Sequence, residues 1–179
     1  MHILLPGLAC VVLAAGATLT AQAPAGARNP FGEPDRTSTS HLTIEARVSR
    51  TSVAPGASVT VTLEVTPRRA IHVYAPGKHD YQVVRLSITP QRWLVVAPTK
   101  YPPSERYYFE PLDETVEVYS KPFRLTRQVT VLDTPEARTA LAGRSSIELA
   151  GSLEYQACDD TVCYAPVKVP VQFTLTLER

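Results

Sequence analysis

The residues of this chain that are best suited to chemistry are two cysteines near its C-terminus. Cys158 and Cys163 lie five positions apart, and Asp159 and Asp160 stand between them. A disulfide across so small a ring restrains little of the unfolded chain, and the loop-entropy model gives it about 2 kcal/mol. Because the expected stabilisation is small, a chemical role for the two cysteines is favoured over a purely stabilising one.

The spacing by itself leaves several functions open for the two cysteines. They could form a structural disulfide at the tip of a hairpin, exchange electrons with partner thiols, bind a metal ion, or remain free thiols. Further metal ligands would have to come from the two aspartates, His72 or His79. A C-x4-C spacing without a second cysteine pair is poorly suited to structural zinc, so we expect neither a metal nor a cofactor.

The charges near the pair predict how reactive the reduced thiols are. Asp159 and Asp160 lie inside the ring, and no Lys or Arg lies within four residues of either cysteine. Negative charge raises the pKa of a thiol, and the thiolate is the species that attacks a disulfide. We therefore expect mostly neutral thiols at pH 7 and a comparatively reducing pair that exchanges slowly until a partner activates it.

The N-terminal residues predict export. Residues 3–17 form a short apolar run that ends before a small-x-small cleavage motif at 21–23, so residues 1–23 are predicted to be a signal peptide. Cys10 would leave with the signal, and the other two cysteines would lie where disulfides persist. We expect a periplasmic or otherwise extracytoplasmic protein, soluble and without membrane insertion once the signal is cleaved.

The overall charge argues against two classes of partner. The formal net charge is +1, and no basic block or stripe is present. Nucleic acids and anionic membrane surfaces are bound through such basic clusters. We therefore expect no nucleic-acid partner.

The elements that must position the cysteines are predicted to be β-strands. A flexible leader rich in Pro and Gly is expected at 24–40, and one domain at 41–179. Apolar and polar residues then alternate, as in antiparallel strands that cover a core with one face, at 42–48, 59–65 and 169–177. Further strands are expected at 70–74, 84–89, 116–118, 123–132 and 145–157, and one short helix at 133–142. This pattern predicts an all-β, immunoglobulin-like antiparallel β-sandwich, with Pro170 marking an edge or a bulge.

One aromatic segment departs from this alternation. Tyr107, Tyr108 and Phe109 follow one another in a stretch that also contains three prolines. We predict a loop whose rings are buried. They would pack either on the loop's own sandwich or, as a lid, over the cysteine pair.

The sequence around the cysteines resembles a known family. The motifs YQAC at 155–158, CYAP at 163–166 and IHVY at 71–74 are similar to those of the periplasmic N-terminal domain of the DsbD family of thiol:disulfide interchange proteins. The resemblance covers residues 42–177. It implies an immunoglobulin-like fold with the cysteine pair on a hairpin at one end.

The resemblance also implies a role for each residue of the site. Cys163 would form the mixed disulfide with partners and Cys158 would resolve it, so both would be catalytic. A cap loop would shield the pair, and its candidates here are Tyr107, Tyr108 and Phe109. The residues expected to flank the pair are His72, Tyr74, Tyr155, Asp159, Asp160, Tyr164 and Pro166.

The partners implied by the resemblance are other redox proteins. The family domain accepts reducing equivalents from a membrane domain and a thioredoxin-like domain, and passes them to disulfide isomerases and cytochrome c maturation factors. Because the sequence runs only to Arg179, we expect a membrane redox transporter and thioredoxin-like oxidoreductases to be supplied in trans. The expected activity is that of a protein-disulfide reductase or interchange component. The alternative is a non-catalytic secreted interaction domain whose hairpin disulfide is purely structural.

Overall fold

Strands dominate the computed structural model, which describes residues 35–110 and 113–178. The predicted signal peptide, 1–23, lies outside the described residues. The strands are β1 (Asp35–Ser38), β2 (Leu42–Val48), β3 (Ser52–Val53), β4 (Ser58–Pro67), β5 (His72–Tyr74), β6 (Arg85–Ile88), β7 (Leu94–Val96), β8 (Glu105–Phe109), β9 (Glu114–Tyr119), β10 (Phe123–Val131), β11 (Ser146–Tyr155), β12 (Ala157–Cys158) and β13 (Val167–Leu177), and the helix is α1 (Pro135–Leu141). No helix within the described ranges is long and apolar enough to cross a membrane.

Two sheets form the main body of the fold. The first has the strand order β1-β2-β4-β10-β7 and the second the order β3-β13-β11-β6. Their pairs are antiparallel except for the short parallel pair of β3 with β13. The alternating apolar residues of both sheets meet in one core, whose fully buried members include Leu63, Leu125, Leu149, Leu153 and Leu175. The predicted all-β sandwich is confirmed.

The longer predicted elements are present, with boundaries shifted by a few residues. The helix begins after Thr134, whose hydroxyl accepts a hydrogen bond from the backbone N–H of Ala137, and Pro135 occupies its first turn. Pro170 lies opposite Ser152 of β11, while β3 pairs with β13 only at Thr176 and Leu177. Pro170 therefore lies on a locally unpaired edge of β13, as predicted.

A third, smaller sheet positions the cysteine pair. Its strand order is β12-β5-β9-β8. Strand β11 contributes to the second sheet, and after Gln156 the chain continues as β12 and pairs with β5 instead. A second apolar cluster lies on this sheet and contains Tyr74, Val116, Val118 and Cys158.

The leader predicted at 24–40 is corrected at its C-terminal end. Residues 35–38 form β1, which pairs along β2, and the following Thr39 is tied to the fold by its side chain. The Thr39 hydroxyl accepts hydrogen bonds from the N–H groups of His41 and Leu42 and lies 2.8 Å from the hydroxyl of Tyr155. The Pro- and Gly-rich composition did not reveal this strand because its partner is supplied by β2. Residues 24–34 lie outside the described ranges.

We expect Thr39→Val to destabilise the domain more than Tyr155→Phe. Tyr155 is fully buried, so loss of the threonine hydroxyl leaves the phenol without a partner and costs about 1–3 kcal/mol. Tyr155→Phe removes the buried hydroxyl, keeps the ring in the core and leaves Thr39 its backbone partners, which costs about 1 kcal/mol. Urea unfolding of the two variants measures the difference. Equal losses would show that this hydrogen bond does not anchor the segment.

Candidate functional site

The cysteines close a hairpin at the end of the small sheet. Cys158 and Cys163 form a disulfide and lie opposite each other in an antiparallel bridge. Beyond them the N–H of Asp159 donates to the carbonyl of Val162 at 2.9 Å, and before them the N–H of Tyr164 donates to the carbonyl of Ala157 at 2.8 Å. Both the structural and the redox interpretations of the pair place a disulfide at a hairpin tip. The described ranges contain no group of three or more His, Cys, Asp or Glu side chains placed to hold a metal ion.

Asp159 organises the turn between the cysteines. One carboxylate oxygen accepts hydrogen bonds from the N–H groups of Thr161 and Val162, at 2.8 and 2.7 Å, and from the Thr161 hydroxyl at 2.9 Å. The other oxygen accepts from the Tyr164 hydroxyl at 2.7 Å. These bonds, that of Tyr164 first, hold the pKa of Asp159 well below its usual range. The predicted flanking residues Asp159 and Tyr164 therefore shape the ring that the disulfide closes.

The two sulfurs differ in their access to solvent. Cys158 is 1% exposed and belongs to the small apolar cluster, whereas Cys163 is an exposed residue. A thiolate must approach the sulfur that it attacks, so access selects which end of a disulfide reacts. A partner thiol can therefore approach Cys163 and not Cys158.

Tyr74 contacts both sulfurs through its hydroxyl. The oxygen lies 3.2 Å from Sγ of Cys158 and 3.3 Å from Sγ of Cys163. Disulfide sulfurs carry no hydrogen, so the tyrosine is the donor. Burial, followed by the nearby Tyr81, Glu114 and Tyr107, raises the pKa of Tyr74 to about 12. The hydroxyl therefore stays protonated, and a donor, at neutral pH.

A stack of aromatic rings holds Tyr74 in place. The Tyr81 ring lies parallel to that of Tyr74 with centroids 4.2 Å apart. The ring centroid of His79 lies 5.2 Å from that of Tyr74. The Tyr81 hydroxyl donates to Glu114 at 2.5 Å. The sequence did not identify Tyr81 or Glu114 as site residues, because Tyr81 follows a turn and only the tertiary fold brings it to Tyr74.

His72 precedes Tyr74 by two residues on β5 and is buried, only 3% exposed. Its ring is 4.4 Å from that of Tyr107 and 6.2 Å, edge to face, from that of Tyr74. His72 is also the direct cross-strand neighbour of Cys158. Burial lowers the pKa of His72 and outweighs the opposing effect of Asp160 and Asp159.

The aromatic segment is a strand, which corrects the predicted loop. Tyr107, Tyr108 and Phe109 belong to β8, which pairs with β9 in register. Tyr107 and Phe109 face the same side and are half-buried, whereas Tyr108 is 56% exposed and donates to Asp113 at 2.8 Å. The prediction that all three rings are buried is therefore wrong for Tyr108.

Of these three aromatics, Tyr107 makes the contacts with the hairpin. Its hydroxyl donates to Asp160 at 2.7 Å, which raises the pKa of Tyr107 to about 12 and leaves it protonated at neutral pH. The same side chain lies against His72. Tyr107 thus spans from the edge of the small sheet to the tip of the hairpin.

The remaining flanking residues differ in their burial and in their contacts. Tyr155 is buried in the main core, and the half-buried Tyr164 packs on His41 with centroids 4.5 Å apart. Pro166 is exposed and borders a surface cleft of about 480 Å³ that Tyr81 and Gln156 also line. Tyr155 and Tyr164 therefore connect the hairpin to the main core, whereas His72, Tyr74 and Tyr107 belong to the small sheet.

Comparisons with known proteins place the chain in a family. The model of the family described as "Thiol:disulfide interchange protein DsbD, N-terminal" matches residues 39–175. The N-terminal periplasmic domain of ScsB from Proteus mirabilis has a similar fold, with a TM-score of 0.52 and 13% identity over 81% of this chain and 51% of that chain. The chain thus spans about half the length of that protein chain.

A second solved structure and a search of curated proteins complete the comparison. The DsbD N-terminal domain of Neisseria meningitidis, in the reduced form, gives a TM-score of 0.43 and 15% identity over 68% of this chain and 79% of that one. No curated protein matches. Because the family match extends from the residue after β1 to the last strand, this chain belongs to the family of DsbD N-terminal domains.

Proposed function

We propose that this chain is an extracytoplasmic thiol–disulfide exchange module that relays reducing equivalents through Cys158 and Cys163. The observation that carries the proposal is the asymmetry of the pair, with Cys163 exposed and Cys158 buried beneath the Tyr74 hydroxyl. A purely structural crosslink requires neither an open sulfur nor a hydroxyl donor shared between the two sulfurs. The periplasmic origin of the ScsB domain supports the proposed compartment.

The reaction begins on the oxidised form. The thiolate of a reduced donor attacks Sγ of Cys163, the bond between the two sulfurs breaks, and Cys158 leaves as a thiolate. The Tyr74 hydroxyl, 3.2 Å from that sulfur, donates a hydrogen bond to the leaving thiolate. A second donor thiol then attacks the mixed disulfide, so that the donor is oxidised and the two cysteines carry two electrons and two protons.

The reduced form then passes these electrons on. The thiolate of Cys163 attacks the disulfide of an oxidised client and displaces one client sulfur as a thiolate. Cys158 attacks Sγ of Cys163, which restores the ring disulfide and releases the reduced client. Thioredoxin-like oxidoreductases and cytochrome c maturation proteins are the proposed clients, and a membrane redox transporter is the proposed donor.

A stoichiometric transfer assay tests the proposal. The reduced chain is mixed with an oxidised thioredoxin-like protein, the reaction is quenched with acid, and free thiols are alkylated. Mass spectrometry then counts the alkylated thiols of each protein. We expect the chain to lose two thiols for every two that the partner gains. A chain that keeps both thiols with every oxidised partner, while oxidation raises its stability by about 2 kcal/mol, would support a purely structural disulfide instead.

A further inference from the structure

We propose that His72 accepts the proton of the buried Cys158 thiol when this thiol attacks Cys163 and releases a bound client. The inference rests on the proposed function and adds a residue to its second step. It assigns to His72 a chemical role beyond packing beside the pair.

The register of the small sheet places the side chains of His72 and Cys158 directly across from each other on the same face. Cys158 of β12 and His72 of β5 are direct partners in the antiparallel ladder. Side chains of such partners project from the same face, with Cβ atoms about 4.5–5.5 Å apart. The ring contacts of His72 with Tyr74 and Tyr107 confirm that it projects toward the face that carries the sulfurs.

Burial favours an internal proton acceptor. Cys158 is 1% and His72 3% exposed, so bulk water does not surround the thiol when it must lose its proton. The two ring nitrogens of His72 have no hydrogen-bond partner among residues 35–110 and 113–178. The imidazole is therefore free to accept.

The other ionisable groups at the pair are already engaged. The Tyr74 hydroxyl on the same strand is protonated and acts as a donor. On the hairpin, the Asp159 carboxylate accepts four hydrogen bonds within the turn, and Asp160 accepts the hydroxyl of Tyr107 from β8. Near Tyr74, the His79 ring is hydrogen-bonded to the carbonyl of Ala75, and Glu114 accepts the Tyr81 hydroxyl. Among the described residues, His72 is therefore the base left beside the thiol.

The same surroundings suit both protonation states of His72. Burial lowers its pKa below the ordinary 6.5, so the ring is neutral and able to accept at pH 7. Asp160 and Asp159 act in the opposite direction, so they stabilise the imidazolium once it forms. A base that is neutral at rest and stabilised when charged matches a general base near neutral pH.

In the releasing step one disulfide bond forms and another breaks. Cys158 carries a thiol, and Cys163 is joined to a client sulfur. As Sγ of Cys158 bonds to Sγ of Cys163, its proton moves to His72, and the bond between Cys163 and the client breaks. The client sulfur leaves as a thiolate with the electron pair of that bond, and it receives a proton from solvent or from the imidazolium.

Oxidised glutathione separates this step from the first one. Reduced chain attacks the probe to form a Cys163–glutathione disulfide and one glutathione, and Cys158 then displaces the second glutathione. Acid quenching followed by mass spectrometry resolves both steps in the unsubstituted chain, in His72→Gln and in His72→Phe. His72→Phe is the packing control, since it keeps a ring against Tyr107 but accepts no proton.

We expect both variants to perform the first step normally and the second step about tenfold more slowly at pH 7. In the unsubstituted chain, the rate of the second step should be independent of pH between the pKa of His72 and that of the Cys158 thiol. At pH values below the pKa of His72 the rate should decrease, because His72 becomes protonated. In the variants only the thiolate reacts, so the rate should rise about tenfold per pH unit through this range.

Two results would overturn the role of His72. One is a second step that runs at the unsubstituted rate in both variants. The other is a His72→Phe variant with the rate and the pH profile of the unsubstituted chain, because His72 would then act only by packing. Absence of the first step in the unsubstituted chain would count against the proposed function itself, and is seen in the same experiment as a missing glutathione adduct.

Discussion

Cys158→Ser is expected to accumulate a mixed disulfide with an oxidised thioredoxin-like protein, whereas Cys163→Ser forms no detectable adduct. In the first variant the exposed Cys163 attacks and no second thiol can release the partner. In the second variant the remaining thiol is 1% exposed within an apolar cluster, where a folded partner cannot reach it. Non-reducing electrophoresis and mass spectrometry of the adduct measure the difference.

The two variants control for each other. Each removes the same ring crosslink, and each therefore loses about 2 kcal/mol of stability according to the loop-entropy model. A difference in trapping consequently reports access to the sulfur rather than loss of folding. Equal trapping by both variants would show that the hairpin opens before it reacts, and would remove the asymmetry on which the proposed function rests.

The sequence predicted the sandwich well because its long strands have one buried face each. In β4 the residues Val59, Val61, Leu63 and Val65 are all buried and alternate with half-buried polar neighbours. A periodicity of two over such a length is specific to strands. The cysteine hairpin was predicted equally well, because the two cysteines that close its ring are only five residues apart in the sequence.

The small sheet was harder to predict, for reasons visible in β8. Its burial alternates as expected for an edge strand, but Tyr107 on the inner face and Tyr108 on the outer face are the same residue type. Composition therefore hides the alternation, and the prolines before it suggest a loop. Tyr81 and Glu114 reach the site only through the fold, so no local pattern could identify them.

Tyr74→Phe is expected to slow reduction of the disulfide by about three- to tenfold. The variant keeps the ring stacked 4.2 Å from Tyr81 and removes the hydroxyl that lies 3.2 Å from Sγ of Cys158. A hydrogen bond to a charged group contributes about 1.5–3 kcal/mol. About half of this is expressed in the transition state, because charge on the sulfurs is only partly developed in thiol–disulfide exchange.

The pH dependence of this effect distinguishes a donor from a base. Because the pKa of Tyr74 is raised to about 12, its hydroxyl keeps the proton across the whole range in which glutathione can be used as the reductant. The ratio of the reduction rates of Tyr74→Phe and of the unsubstituted chain should then be constant with pH, although both rates rise as glutathione ionises. A ratio that changed near neutral pH would mean that Tyr74 titrates during the reaction, contrary to the burial that raises its pKa.

Tyr81→Phe is the matched comparison for this prediction. It removes a hydroxyl from the adjacent ring of the same stack, where the partner is Glu114 and not a sulfur. If Tyr74 acts by donating to the leaving Cys158, the Tyr81 variant should be reduced at nearly the unsubstituted rate. If both variants slow the reaction equally, the stack acts through packing alone, and the hydroxyl between the two sulfurs has no part in the exchange.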